Sequence, residues 1–229
     1  MGELIKYYED ETIRIYLGDG TTDHALFQKA DVMITDPPYV ISADAGANTE
    51  RSQLRGLRTL DKVSSAKINN GFNLNILQRI ENKIIFCARD QLFDLIADAK
   101  QKNWALLTWH KSNPTPLINN VYLPCTEYIV HSWDKGNLFG EYADKFKSKT
   151  TTNNRKNSYN HPTVKPLEVM RWLVAVGSDV GQTVIDPFCG SGSTLVACKE
   201  MGRKSIGIEI EEKYCEIAAN RCRQGILFT

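Results

Sequence analysis

Residues 32–39 read Val32-Met33-Ile34-Thr35-Asp36-Pro37-Pro38-Tyr39, an apolar run followed by an acid, two prolines and an aromatic residue. The apolar run predicts a short buried strand, so the last four residues should lie where that strand ends. Two consecutive prolines remove two backbone donors and restrict φ, which predicts a stiff elbow whose carbonyls point outward with no partner in the chain. Together with the carboxylate, these carbonyls could accept both hydrogens of an NH2 group while the aromatic ring stacks on its heterocycle. A plain strand-to-loop turn is the alternative, since Asp-Pro and Pro-Pro are common turn dipeptides.

Length and composition favour one globular domain. The chain has 229 residues, of which 42% are apolar and 24% charged, and no apolar run is long enough to span a bilayer. The first residues lack the apolar core of a signal peptide, and the six cysteines form no Cys-x-x-Cys pair, so we expect reduced, structural cysteines in a cytoplasmic protein. The formal net charge of +1 gives no global argument for a nucleic-acid partner, so such an argument depends on local basic patches.

Strand-like and helical segments alternate along most of the chain. Strands are predicted at about residues 12–17, 32–35, 83–87, 104–109, 126–133, 183–185 and 205–208, and helices at about 22–29, 74–79, 90–99, 166–176, 195–201 and 212–224. This order predicts an α/β fold with a doubly wound, mostly parallel sheet, in which 104–109 and 126–133 form one antiparallel edge hairpin. Ligands of such sheets bind beyond the carboxyl ends of strands where the strand order reverses. Asp19, Asp36 and Asp186 all follow predicted strands.

Two basic segments interrupt this pattern, at residues 40–70 and 134–160. Their candidate phosphate contacts are Arg51, Arg55, Arg58, Lys145, Lys147, Lys149, Arg155 and Lys156. A solvated basic surface that serves solubility is the alternative interpretation.

A glycine-rich turn, Gly190-Ser191-Gly192, lies between a predicted strand and a helix, and Glu209 ends the next strand nineteen positions after Gly190. Glycines allow a ligand to approach the backbone, and an acid at that place accepts hydrogen bonds from ribose hydroxyls. Leu195 occupies the third glycine position of the dinucleotide fingerprint, and no Gly-Lys-Ser/Thr follows as in a phosphate-binding loop. The pattern therefore favours a cofactor with a ribose but no pyrophosphate, with a plain helix-capping turn as the alternative.

Three motifs in a fixed order carry a family resemblance: 36–39, His161-Pro162-Thr163-Val164-Lys165-Pro166, and 186–194, read as Asp-Pro-Phe-Cys-Gly-Ser-Gly-Ser-Thr. Across nearly its whole length the chain resembles the permuted, β-class DNA amino-methyltransferases, which use S-adenosylmethionine and have a circularly permuted Rossmann-like fold. The resemblance implies one methyltransferase domain over residues 1–229, with 134–160 as a short target-recognition segment. Its expected partner is double-stranded DNA, and a second copy of the chain and a cognate restriction enzyme are candidate partners. No membrane partner and no metal site are expected.

The resemblance also implies site residues. The catalytic ones are Asp36, Pro37, Pro38 and Tyr39, and the cofactor-binding ones are Asp19, Asp36, His161, Thr163, Lys165, Asp186, Phe188, Cys189, Gly190, Ser191, Gly192, Ser193, Thr194 and Glu209. Within this set the acid after the second cofactor strand, Glu209, is implied to hold the ribose, and Asp19 to contact the adenine. The segment 161–166 is implied to lie beside the methionine part.

A mechanism follows from this assignment. A duplex hides an exocyclic amine, so the target base must be flipped out and stacked, with Tyr39 as the expected platform. Asp36 and the Pro37 carbonyl are expected to accept the amine hydrogens, and the methyl group to pass directly to nitrogen, without Cys189 as a nucleophile. Aspartate at the first motif position is associated in the family with adenine N6, and serine with cytosine N4, so adenine is favoured. The alternatives are cytosine N4, an RNA or protein amine, a non-catalytic binding module and a nicotinamide-dependent enzyme.

Overall fold

The computed structural model describes residues 3–22, 25–38, 74–100, 102–114, 125–134, 146–153 and 164–224. Within these ranges a single sheet of nine strands forms the centre of the molecule. The strands are β1 (Ile5–Glu9), β2 (Ile13–Leu17), β3 (Val32–Thr35), β4 (Lys83–Cys87), β5 (Asn103–Lys111), β6 (Thr126–Trp133), β7 (Ser148–Thr151), β8 (Thr183–Asp186) and β9 (Lys204–Glu209). Their order across the sheet is β1-β2-β9-β8-β3-β4-β6-β5-β7.

The sheet is mixed and mostly parallel, which confirms the predicted fold class. Strands β2, β9, β8, β3 and β4 pair in parallel one after another, whereas β6 is antiparallel to both β4 and β5. The pair β5/β6 is antiparallel as predicted, but it is not at the edge, because β7 pairs in parallel with β5 outside it. At the other edge β1 pairs antiparallel with β2.

Helices cover both faces of the sheet. They are α1 (Leu92–Ala99), α2 (Leu167–Gly177), α3 (Ser193–Glu200) and α4 (Glu212–Arg223), with short 3-10 helices at Phe27–Lys29, Leu74–Arg79 and Arg89–Gln91. Apolar residues of α2 and α3 pack on one face with β3, β4 and β8, and α4 packs on the same face over β2. Helix α1 and the 3-10 helices at residues 27–29 and 74–79 bury their apolar residues on the opposite face. Among the described residues, no helix is both long and apolar enough to cross a lipid bilayer.

Three elements differ from the sequence prediction. Both edge strands, β1 and β7, were missed, since their sequences IKYYE and SKTT lack an alternating apolar pattern and their residues are mostly exposed or half-buried. Such edge strands gain little from apolar burial, so their pairing is set by the neighbouring strand. The helix predicted at 22–29 is reduced to a single 3-10 turn at Phe27–Lys29.

The strand order reverses between β8 and β3. From β8 the next strand in the chain, β9, lies on one side, and from β3 the next strand, β4, lies on the other. A crevice at the carboxyl ends of such a pair is where open α/β sheets bind ligands. The loops that follow β3 and β8, which contain residues 36–38 and 187–192, meet at this point.

A buried histidine lies at the other end of the sheet core. The His131 ring is 1% exposed and tilted against Trp133 with 4.8 Å between ring centroids. Its Nε2 is 3.2 Å from Oδ1 of Asn82, whose amide nitrogen donates to the carbonyl of Gly177. The Asn82 oxygen must therefore accept, so Nε2 carries the proton. Burial lowers the pKa of His131 to about 4, because the cation would lose its hydration.

The lowered pKa of His131 predicts that the folded protein loses stability in mild acid. The unfolded chain takes up the proton near pH 6.5, whereas the folded protein resists it until about pH 4, so the free energy of unfolding should fall as the pH decreases between these values. At about 1.4 kcal/mol per pKa unit, the loss is about 3 kcal/mol. Chemical denaturation at several pH values should show a flatter dependence for His131→Gln than for the wild type. His110→Gln, at a half-buried position between two threonines, is the control, and an unchanged slope in His131→Gln would contradict the prediction.

Candidate active site

The Asp36 carboxylate, directly after β3, is held by a lysine from a distant segment. Its Oδ2 atom forms an ion pair and hydrogen bond with Nζ of Lys165, two residues before α2 begins. The same Nζ lies 3.3 Å from Oε2 of Glu127 and 4.8 Å from the centre of the Phe86 ring. Burial opposes the lysine cation, but the two carboxylates outweigh it and raise the pKa of Lys165. Lys165, expected among the cofactor ligands, thus contacts the candidate catalytic acid.

The two prolines continue from this acid. Pro37 is buried and Pro38 is half-buried. The expectation that nothing in the chain satisfies the carbonyls of this elbow is wrong for Pro38, whose oxygen accepts a hydrogen bond of 3.4 Å from the Gln91 side chain. Gln91 ends the 3-10 helix at Arg89–Gln91, after β4. The 3-10 helix after β4 therefore supports the elbow.

Asp186, the last residue of β8, joins the two loops at the switch point. One carboxylate oxygen accepts hydrogen bonds from the Thr35 hydroxyl at 2.7 Å and the Phe188 amide at 3.1 Å, and the other accepts from the Thr194 hydroxyl at 2.5 Å. Burial raises the pKa of Asp186 to about 6, although these three donors favour the anion. Since Thr35 precedes Asp36, this one carboxylate fixes the start of the proline elbow against the glycine-rich turn.

The glycine-rich turn contains two glycines in a left-handed backbone conformation. Gly190 and Gly192 have φ values of 51° and 78°, in the left-handed region that favours glycine, and Gly192 precedes the first residue of α3. Arg221 of α4 holds the turn from behind: its Nη1 donates to the Ser191 carbonyl at 2.6 Å and to the hydroxyls of Ser191 and Ser193 at 3.1 Å each. The turn is thus a rigid feature whose serine side chains already have donors.

Glu209 ends β9 beside this turn. Its two carboxylate oxygens accept the amides of Gly190 at 3.0 Å and Glu211 at 2.8 Å, while its carbonyl accepts the amide of Gly18 at 2.9 Å. Burial raises the pKa of Glu209, and the backbone donors oppose the rise. An ionised carboxylate has about four acceptor positions, so two amides leave capacity for hydroxyl groups. The next residue, Ile210, is 56% exposed.

Asp19 lies in the turn after β2, next to the end of β9. Its Oδ1 accepts the amide of Thr21 at 2.8 Å and the hydroxyl of Thr21 at 2.7 Å, so the acid stabilises its own turn. A Cβ atom built on Gly20 would lie 1.9 Å from the carbonyl oxygen of Pro187, so only glycine permits this approach of the two loops. The turns after β2, β8 and β9 therefore form one continuous rim.

Cys189 does not face this rim. It is 5% exposed, packs with Leu195 and the apolar residues of α4, and its pKa is raised well above the ordinary value, chiefly by burial. The thiolate needed for nucleophilic attack is therefore disfavoured. Phe188 is half-buried and packs against the apolar cluster on the α1 face.

Several predicted residues lie outside the described ranges: Tyr39, Arg51, Arg55, Arg58, Lys145, Arg155, Lys156, His161 and Thr163. Of the basic residues proposed for phosphate contacts, Lys147 and Lys149 are described, and both are at β7. Lys147 is exposed, and the ammonium of Lys149 is 3.1 Å from a carboxylate oxygen of Glu168.

Three residues that support the site were missed by sequence reasoning: Gln91, Glu127 and Arg221. Glu127 lies 2.7 Å from the ammonium of Lys111, and burial opposes its charge, but Lys165 and Lys111 outweigh this effect and lower the pKa of Glu127. For Glu127 and Arg221 the available signal was a charge within a strand or helix that packs on the core, because such a residue needs a buried partner; the uncharged Gln91 gave no such signal. The partner itself could not be read from the sequence.

Comparison with known proteins gives the family. The family model N6_N4_Mtase, described as DNA methylase, matches residues 30–220. Type II methyltransferase M2.LlaDCHI from Lactococcus lactis subsp. cremoris is 26% identical and aligns over 97% of this chain and 93% of its own length. Type II methyltransferase M2.DpnII from Streptococcus pneumoniae is 27% identical over 85% of this chain and 82% of its own length.

Solved structures share the fold. The M1.HpyAVI–SAM complex superposes with a TM-score of 0.65 at 24% identity, over 93% of this chain and 100% of the other. The cytosine-N4-specific PvuII DNA methyltransferase superposes with a TM-score of 0.62 at 13% identity, over 96% of this chain and 89% of the other. Because the family model matches most of the sequence, the chain belongs to the N6/N4 DNA methylase family.

Proposed function

We propose that this protein transfers a methyl group from S-adenosylmethionine to the N6 amine of adenine in double-stranded DNA. The observation that carries the proposal is the contact between the two motif loops: the Thr35 hydroxyl donates to Asp186 across 2.7 Å, which brings Asp36 next to the glycine-rich turn. A donor bound at that turn and an amine held by Asp36 would meet at the switch point. Family membership supports the reaction class.

The residues after β2, β8 and β9 fit the proposed cofactor. S-adenosylmethionine contains a ribose with two hydroxyls, and Glu209 offers a fixed carboxylate beside the left-handed turn at Gly190. The exposed side chain of Ile210 offers an apolar surface for the adenine, next to the Asp19 turn. The cofactor supplies a methyl group on a positively charged sulfur. The buried carboxylates of Asp186 and Glu209 suit that charge.

The chain's own contribution to the reaction is to hold the amine. The Asp36 carboxylate and the Pro37 carbonyl would accept its two hydrogens, which turns the nitrogen lone pair out of the ring system and toward the methyl group. As the N–C bond forms, the donor's S–C bond would break with its electron pair left on a neutral thioether, and the methylated amine would release one of its hydrogens as a proton to solvent. Catalysis would then come from positioning and electrostatics, without a covalent intermediate. The buried thiol of Cys189 agrees with direct transfer.

The acceptor must be flipped out of the duplex to reach the crevice, and we assign Tyr39 as its stacking platform. We further assign the segments 40–70 and 134–160 to DNA contact within one methyltransferase domain. Lys147 supports this assignment as an exposed cation directly before β7. Lys149 would have to exchange Glu168 for a phosphate. Counterion release would then make binding depend strongly on salt.

Asp36→Asn tests the role of the acid. The amide keeps the shape of the side chain but loses the charge and one acceptor oxygen, so the methylation rate should fall at least about 100-fold. Affinity for S-adenosylmethionine, measured by calorimetry, should persist. Asp94→Asn, at an exposed acid in α1, is the control and should behave as the wild type. Wild-type turnover by Asp36→Asn would remove the acid from the mechanism.

Glu209→Gln tests the cofactor site. Loss of a charge-assisted acceptor should weaken S-adenosylmethionine binding about tenfold or more. The unfolding temperature should also fall somewhat, because the new NH2 group replaces one of the two oxygens that accept the amides of Gly190 and Glu211. Calorimetric titration measures the effect, with Glu212→Gln in the first turn of α4 as the control. Equal affinities of the two variants would place the ribose elsewhere.

Nucleoside analysis tests the choice of base. Adenine and cytosine both carry an exocyclic amine, and a structural neighbour is a cytosine-N4-specific enzyme, so the fold alone does not choose. We expect N6-methyladenine as the product when mass spectrometry is applied to digests of methylated duplex DNA. N4-methylcytosine as the sole product would overturn the choice of base. Methylation of RNA or protein in preference to DNA would overturn the substrate class.

A further inference from the structure

Four charged side chains form a row beside the proposed active site: Asp36, Lys165, Glu127 and Lys111. The Lys165 ammonium contacts both Asp36 and Glu127, and Glu127 contacts Lys111 across 2.7 Å. Each of the last three side chains is less than one-fifth exposed, at 10%, 17% and 18%. Two carboxylates and two ammonium groups make the row neutral, as burial requires.

The sheet topology builds this row. Strands β3, β4, β6 and β5 are consecutive neighbours, and the antiparallel direction of β6 brings its second residue, Glu127, to the edge where β4 and β5 end. Glu127 pairs in register with Trp109 of β5, two residues before Lys111. The row therefore starts at the switch point and ends next to β7.

The contacts of Lys165 define its role. Its ammonium has three N–H donors, and it faces two carboxylates and the ring of Phe86. These contacts leave it fixed against Asp36. A carboxylate has acceptor positions on both oxygens, so an ammonium on Oδ2 orients the group and still permits an amine to bind.

We propose that Lys165 is a positioning residue for Asp36, and that Glu127, anchored by Lys111, acts through Lys165. The inference rests on the proposed methyl transfer. Lys165 would set the direction of the Asp36 carboxylate, and Glu127 would set the place of Lys165. None of the three supporting residues needs to touch the cofactor.

The experiment compares Lys165→Met, Glu127→Gln and the double variant in three measurements: affinity for S-adenosylmethionine by calorimetry, unfolding temperature, and kcat and KM for duplex DNA. We expect Lys165→Met to lower kcat about 100-fold, as small displacements of reacting groups do, with cofactor affinity unchanged. Glu127→Gln, which acts one contact further away, should lower kcat roughly tenfold. In the double variant kcat should equal that of Lys165→Met, because Glu127 is proposed to act on Asp36 through Lys165.

Lys83→Met is the matched control. Lys83 is 2% exposed and pairs with Asp98 at 2.6 Å, but it lies at the opposite end of β4. This variant should lower the unfolding temperature and leave kcat unchanged. A loss of kcat in Lys83→Met equal to that in Lys165→Met would mean that any buried ion pair matters and would overturn the assignment.

The remaining outcomes separate the two proposals. Weaker cofactor binding by Lys165→Met with unchanged kcat at saturating cofactor would make Lys165 a cofactor ligand and overturn the inference. If the loss of kcat in the double variant equals the product of the two single losses, Glu127 does not act through Lys165, and that part of the inference is wrong. If Lys165→Met does not fold, an unchanged kcat in Glu127→Gln is sufficient to reject the proposed positioning role of the row. A wild-type protein that neither binds S-adenosylmethionine nor methylates DNA would defeat the proposed function itself.

Discussion

A buried carboxylate at the end of β8 holds the centre of this protein together. Asp186 accepts hydrogen bonds from Thr35 of β3, 151 positions away in the sequence, and from Thr194 of α3. Burying this acid raises its pKa to about 6, a cost that its donors only partly offset. The result is a fixed distance between the loop after β3 and the loop after β8. Every functional statement about the crevice depends on that distance.

Other charged side chains around the crevice also hold groups of distant segments in place. Glu209 holds the amide of Gly190, Arg221 holds the two serines of the glycine-rich turn, and Lys165 holds Asp36. In each case a buried or nearly buried charge on one segment is satisfied by groups on another, because an unpaired charge in the interior would be costly. Such contacts leave little freedom in the turns. A site that catalyses by positioning needs this rigidity before its substrates arrive.

The fold of this protein does not by itself determine its chemistry. Structures of a cytosine-N4-specific methyltransferase and of M1.HpyAVI share this sheet, although their sequences differ widely from this chain. A sheet with helices on both faces provides the crevice for all of them. The shared sheet does not choose the base, since a cytosine-N4-specific enzyme has it too, so that choice must come from residues outside the common strands. The row from Asp36 to Lys111 is a further feature that the sheet order alone creates.

The sequence by itself determined the class of the fold, the family and the strand ends at which the candidate site lies. Strands β3, β4 and β6 were predicted with their observed bounds from their strand-like sequence patterns, and the glycine-rich turn from two glycines between a predicted strand and a helix. Strands β1 and β7 were not predicted, since a polar edge strand has no burial pattern of its own. The tertiary structure alone decided the partners of Asp186, Pro38 and Lys165. A charge in a sequence shows that a buried partner is needed, but which distant residue supplies it depends on strand order and on the direction of β6.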